Sequence, residues 1–285
     1  MNTILLAITI PFSPVALQLG PLAIRWYGIA YAVAFLVGGR LALGHTRRRG
    51  IPDQVVNSII FWAIVCGLVG ARLYFVVQSG VWWYLTHPAH ILAFWEGGMA
   101  YFGAIFAVLA VLLVASHRLR VSFWILLDAG VLFAAVGQPI GRLGNIMNGE
   151  ILGPPSSLPW AFIYTDPRSM APHLGVAYQP AAAYEGLAAL AILAALLLLR
   201  RRGVPDGVVG ISYLVLYCIS QLIVFFWRTD YETPVIWLGL RQAQLTAIAI
   251  LLLVVPPVIY FWWRATERGS TGRPKRERLL WSPPP

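Results

Sequence analysis

Residues 181–202 read AAAYEGLAALAILAALLLLRRR. Past Glu185 the run carries no charge until it stops at Arg200, Arg201 and Arg202. Its apolar part matches the roughly 20 residues a helix needs to cross bilayer hydrocarbon, and the arginine block marks the end held at a charged surface. Further runs of this kind lie at about 22–44, 57–78, 98–116, 122–141, 207–227 and 240–263, with this one at 180–199. The chain is therefore expected to be an all-α polytopic membrane protein of about seven transmembrane helices. Composition agrees: of 285 residues, 59% are hydrophobic and 11% charged, against about 25% charged in soluble domains.

The 21 Lys and Arg residues exceed the 11 acidic ones, a net charge of +10. On a soluble chain that surplus would suggest nucleic-acid binding. Here the cations cluster beside alternate apolar runs: Arg47–Arg49, Arg118 with Arg120, Arg200–Arg202, and the group from Arg264 to Arg278. Arg25, Arg142, Arg168, Arg228 and Arg241 fall toward the other side. The positive-inside rule then sets the N-terminus outside and the C-terminus in the cytoplasm. Cys66 and Cys218 lie in apolar runs without CxxC spacing, so packing is their expected role.

A single transmembrane domain is expected over residues 1–263, followed by a basic cytoplasmic tail over 264–285 suited to anionic lipid or to disorder. Residues 1–20 lack the charged start of a cleavable signal and read as an interfacial segment on the outer surface. Trp82, Trp83, Tyr84 and Trp95 suit the headgroup level. Residues 151–180, rich in proline, read as an irregular outer head.

Ionisable groups inside spans cost on the order of 2.5–3.5 kcal/mol each and so map function. They are Arg72, Asp128, Arg142, Glu150 and Glu185, accompanied by Gln138, Asn145, Asn148, Gln221 and Gln244. The densest group is GQPIGRLGNIMNGE, residues 137–150. A helix through it puts Gln138, Arg142 and Asn145 on one face, while Gly141 and Gly144 admit a close neighbour. Arg142 presents a planar, permanently charged fork suited to phosphate, with Glu150 near enough along the helix to orient it or take a proton. The plainer alternative is an ion pair stapling two spans. Arg72 is open between a second phosphate contact and a pair with Glu150 or Glu185. Glu185, beside Tyr184, reads as a headgroup-level hydrogen bond, and Asp128 as a local cap or pair. The five histidines, in loops or at span edges, form no HExxH pair, and neither GxSxG nor a P-loop is present.

GRLGNIMNGE resembles the signature of the prolipoprotein diacylglyceryl transferases, membrane enzymes that attach a diacylglyceryl group to the lipobox cysteine of bacterial prolipoproteins. Further matching stretches are GPLAIRWYGIAY at 20–31, GARLYFVV at 70–77, FWEGGMAYFG at 94–103, QPAAAYE at 179–185 and YCISQLIVFFWRTD at 217–230. The family's seven-span, N-outside topology is the one derived above from charge.

The resemblance implies that Arg142, Asn145, Asn148, Glu150 and Gly153 form the signature loop and that Tyr27 is the tyrosine of the first span. It implies phosphatidylglycerol as donor, prolipoprotein signal peptides as acceptors, and a site facing the outer leaflet of the bacterial inner membrane. The thiol would attack the glyceryl carbon bearing phosphate, giving a thioether and glycerol phosphate. Arg142 would stabilise the leaving group, Arg142, Arg72 or Arg241 would favour thiolate, and Glu150 or Tyr27 would handle the proton. No cofactor, metal or nucleotide is required. The chain departs from the pattern at Phe102 and Gln179, where histidine is usual, and at Gln221 and Phe225, where arginine and glutamate are usual. Two alternatives remain beside transfer: a relative that binds phospholipid headgroups without transferring them, and an anion channel or transporter lined by Arg72 and Arg142.

Overall fold

The computed structural model describes residues 7–20, 22–93, 98–228 and 235–270. Trp95 and the tail beyond residue 270 lie outside them. The chain is mostly helical: α1 (Trp26–Thr46), α2 (Asp53–Gln78), a short α3 (Val81–Thr86), α4 (Tyr101–Leu119), α5 (Phe123–Asn148), α6 (Ala181–Arg201), α7 (Val208–Val224), α8 (Gln242–Ala249) and α9 (Val255–Ser270). A π-helical turn over Ile250–Val254 joins α8 to α9. Among the described residues, five helical stretches are long and apolar enough to cross a membrane: Trp26–Arg49, Asp53–Val77, Phe123–Asn148, Ala181–Arg201 and Ala243–Arg264. The apolar stretches Gly103–Leu119 and Val208–Val224 stand at the short end of that range. Large apolar side chains such as Phe61, Leu190 and Leu252 are exposed on these helices, as lipid-facing positions require.

The chain divides into two compact units. In the unit of Leu41–Gly130, α2 and α4 meet through glycine. A Cβ on Gly70 would lie 2.6 Å from the Gly103 carbonyl oxygen, and one on Gly103 would lie 2.2 Å from that of Gly70. The contact is between backbones, the membrane use of small residues. Nearer the other ends of the two helices a core of Ile51, Val56, Ile59, Leu112, Val121 and Leu126 is buried.

The unit of Met1–Arg40 and Val131–Gly272 holds α5 beyond residue 130, the later helices and the sheets. Here the all-α expectation needs correction: small sheets stand beside the helices. β1 (Ile8–Ile10) pairs in parallel with β4 (Phe162–Tyr164), which pairs antiparallel with β5 (Ala177–Tyr178). β2 (Val15–Leu19) and β3 (Leu22–Arg25) form a hairpin, as do β6 (Val235–Trp237) and β7 (Leu240–Arg241). The supposedly irregular head thus has a core of Ile10, Leu152, Tyr164 and Tyr178, one member of which comes from the N-terminal segment. Pairing satisfies backbone groups that an extended interfacial segment would leave to water.

Candidate active site

α5 does persist through the polar stretch, as far as Asn148, even with Pro139 inside it. It then turns sharply. Gly149 has φ +79° and Ile151 φ +56°, the latter a strained value for a β-branched side chain. Two backbone bonds hold the turn, from Gly149 N–H to Ile146 O and from Glu150 N–H to Asn145 O. The consequence is that Glu150 folds back onto the helix instead of continuing along it.

Its carboxylate is received by two amides. Asn145 Nδ2 donates to Glu150 Oε2 at 2.7 Å and Asn148 Nδ2 donates to Oε1 at 2.9 Å. The other end of each amide faces a guanidinium: Arg142 donates to Asn145 Oδ1 and Arg25 to Asn148 Oδ1, both at 3.1 Å. With cations on one side and a carboxylate on the other, only one amide orientation satisfies every partner. Arg142 also forms an ion pair with Glu185 of α6, whose other oxygen accepts from Arg228 at 3.2 Å. Arg228 lies 5.0 Å over the ring of Phe225.

A continuous chain results: Arg25, Asn148, Glu150, Asn145, Arg142, Glu185, Arg228. Among the described residues the chain holds three guanidiniums and two carboxylates. Asn145, Asn148 and Glu185 are buried, whereas a quarter of the Arg142 side chain remains exposed. So Arg142 is anchored by a carboxylate without being sealed by it.

Glycine makes room around this chain. A Cβ on Gly144 would lie 2.9 Å from the Tyr27 ring and 3.2 Å from its Cα, and one on Gly186 would lie 3.3 Å from Arg142 Cβ. Tyr27 packs against Gly144, donates to the Tyr31 hydroxyl at 3.0 Å and lies within electrostatic reach of Glu150 and Arg142. Beside them Trp26, Ile29, Ala30, Val33, Leu143 and Met147 line an apolar groove of about 260 Å³. Below the turn, Gly153 N–H donates to Gln179 O at 2.8 Å, and a Cβ on Gly153 would strike Trp227 O at 2.5 Å.

The head clamps the turn from the other side. Met170 N–H donates to Asn148 O, and the Tyr164 hydroxyl donates to Ile146 O at 2.8 Å. Burial raises that phenol above its ordinary pKa, so it stays a donor.

The sequence-derived set Tyr27, Arg142, Asn145, Asn148, Glu150 and Gly153 therefore falls in one unit. Arg241 belongs to the same unit at the start of α8, its backbone N–H bonded to Gln244 Oε1. Arg72 belongs to the other unit. There its guanidinium donates to the carbonyl oxygens of His90, Ile91 and Gly98, and it lies within 5.9 Å of the Phe75 and Tyr84 rings. Glu185 proves to be a bridge between two guanidiniums, a role stronger than the headgroup hydrogen bond expected of it. Arg25 and Arg228 escaped the sequence reading because both looked like ordinary loop cations. Of the departures, Phe225 supports Arg228, Gln221 lies half-buried on α7, and the Phe102 side chain lies outside the described residues. Gln179 Oε1 is buried and meets no donor among the described residues.

Apolar helices carrying a charged, partly open chain of side chains define an integral membrane protein. Comparison then specifies it. The model of the prolipoprotein diacylglyceryl transferase family matches residues 14–262. A phosphatidylglycerol–prolipoprotein diacylglyceryl transferase of Synechococcus elongatus is 36% identical over 248 residues, 84% of this chain and 83% of its own. Those of Bordetella avium (35% over 221 residues, 76% and 82%) and Rhodospirillum centenum (34% over 253 residues, 85% and 90%) are similar too. The chain belongs to the prolipoprotein diacylglyceryl transferase family.

Proposed function

We propose that this protein transfers the diacylglyceryl group of phosphatidylglycerol to the lipobox cysteine of prolipoproteins. The observation that carries the reading is Arg142, fixed by Asn145 and Glu185 yet a quarter exposed. Its kinship with enzymes bearing that name supports it.

In the step envisaged, the cysteine sulfur attacks the glyceryl carbon that carries the phosphate. A C–S bond forms, the C–O bond to phosphate breaks, and glycerol phosphate leaves with the bonding pair, so charge concentrates on the departing phosphate. A positioned guanidinium binds that concentrated charge more strongly than the spread charge of the diester. Arg142 meets this need, and Glu185 and Asn145 hold its fork so that no reorganisation is required during reaction. The same field favours the thiolate form of the acceptor. Glu150 is the candidate for accepting the thiol proton, Tyr27 for passing it on by giving up its own hydrogen as it receives one, and Arg241 for a further headgroup contact. Gln179 Oε1, a buried acceptor lacking a donor among the described residues, suits a hydroxyl of the glycerol headgroup. Asn148 and Gly153 shape the turn that presents Glu150. Arg72, held by backbone carbonyls, is assigned to holding its own loop in addition to any headgroup contact.

In this reading the two shorter apolar helices also span, which gives seven crossings with the N-terminus outside and the C-terminus in the cytoplasm of a bacterium. The site then opens toward the outer leaflet of the inner membrane, where exported prolipoproteins and phosphatidylglycerol meet.

The test uses purified protein, phosphatidylglycerol and a lipobox peptide. A diacylglyceryl thioether is expected from the unaltered protein and none from Arg142→Ala. Saturable headgroup binding without product would overturn transfer, and cysteine accessibility from either side of the membrane checks the topology.

A further inference from the structure

The geometry points to a second lipid site, in the unit of Leu41–Gly130: a groove between α2 and α4 that binds one anionic phospholipid with its phosphate at Arg118. The groove encloses about 820 Å³. Gln54, Ser58, Trp62 and Cys66 recur every fourth residue along its α2 wall, and Ala107, Val111, Val114 and Arg118 follow the α4 wall. The two helices are pinned backbone to backbone at Gly70 and Gly103, and the groove runs from near that crossing toward their far ends.

Its polarity is graded. Gln54, Ser58 and Arg118 stand together at one end, while the wall toward Cys66 and Ala107 is apolar. From Gln54 to Cys66 is twelve residues of helix, about 18 Å at 1.5 Å per residue. That is close to the roughly 15 Å depth of one leaflet's hydrocarbon. An acyl chain fits the apolar length, and a headgroup falls at the polar end.

Charge selects which headgroup. Arg118 is exposed and makes no hydrogen bond or ion pair among the described residues. No acidic side chain lines the groove. The acid nearest in sequence to Gln54 is Asp53, which is already paired with Arg47 through two hydrogen bonds. The anion that would complement Arg118 is therefore not supplied by these neighbours, and a lipid phosphate with net negative charge supplies it. Gln54 and Ser58 add neutral donors that suit phosphate oxygens. A zwitterionic lipid brings its own cation to the same spot and gains less. This inference does not depend on the transferase reading, since none of these residues belongs to the chain around Arg142.

Cys66 reports occupancy, being half-buried in the groove, whereas Cys218 is buried elsewhere. Full-length protein in mixed micelles is treated with a small maleimide, and modification of each cysteine is followed by peptide mass. Phosphatidic acid is expected to slow Cys66 modification about fivefold relative to phosphatidylcholine of the same acyl chains, the effect of one cation near an anionic headgroup. Arg118→Gln should abolish the difference while thioether formation by the same preparation, where the unaltered protein shows it, stays unchanged. Equal protection by both lipids, no protection by either, or protection that survives Arg118→Gln overturns the site. If neither preparation forms thioether, the transferase reading fails while the lipid comparison still decides this one.

Discussion

Arg72 and Arg142 are both helix-borne arginines in apolar surroundings, and the described hydrogen bonds of their guanidiniums go to different kinds of group. Arg72 is almost wholly buried, 2% exposed, and gives its N–H groups to three backbone carbonyls. Arg142 keeps a quarter of its side chain exposed, pairs its charge with a carboxylate and donates an N–H to an amide. Carbonyls of the chain cannot leave without unfolding the loop that bears them. Side-chain partners hold the Arg142 fork while leaving part of it open to an arriving anion. A cation tied to backbone is suited to holding structure, and one tied to side chains with an open face is suited to binding.

Five substitutions, the last of them read against pH, would break or sharpen that contrast. Arg142→Ala should lower thioether formation by roughly a thousandfold, the scale of losing one preorganised charge donor, with the unfolding midpoint little changed because Glu185 keeps Arg228. Arg72→Ala should do the reverse. Three carbonyls lose their donors at about 1–3 kcal/mol each, so the midpoint should fall by roughly 10 °C, and the fraction that folds should keep most of its turnover. If Arg72→Ala folds normally and is inactive, the contrast collapses.

Glu185→Gln leaves Arg142 in place but loosens it. A fall in kcat of roughly 10- to 100-fold is expected, with a smaller change in KM, as for a misplaced catalytic group. Gln179→Ala should raise KM for phosphatidylglycerol by a few fold, about 1 kcal/mol for one hydrogen bond, and leave kcat nearly unaltered. The smallest effect concerns the head. Arg168 holds the Asp166 carboxyl below its ordinary pKa through side-chain and backbone hydrogen bonds. A lowered folded pKa adds stability above the unfolded value, and that stability is lost as pH falls through the folded one. Asp166→Asn should therefore bring the midpoint at pH 6 slightly toward that of the unaltered protein at pH 3, and salt should shrink the gap because the pair is exposed.

The helices were legible because bilayer thickness constrains length and composition together. Each apolar run has a helix over most of its extent, and the discrepancies are at ends. α1 starts at Trp26 because Leu22–Arg25 pairs with β2, and α5 outlasts its apolar run because polar side chains satisfy one another on its last two turns. What stayed hidden was pairing across the chain. Ile8 meets Phe162 in β1 and β4, a contact no periodicity announces. Half of the candidate site was legible for a related reason. Arg142, Asn145, Asn148 and Glu150 are close in sequence and share a helix end, so spacing alone brings them together. Arg25, Glu185 and Arg228 come from three other segments and join only on folding. Glu185 already stood among the ionisable groups of the spans, and a count of unbalanced charges near span ends would have added Arg25 and Arg228.

The amides of Asn145 and Asn148 have one further effect. Each accepts from an arginine and donates to Glu150, and an amide neither gains nor loses a proton under ordinary conditions. The row of side chains consequently transmits orientation but acts as an insulator toward protons. One arriving at Glu150 has no relay through Asn145 toward Glu185, so the carboxylate paired with Arg142 keeps its charge.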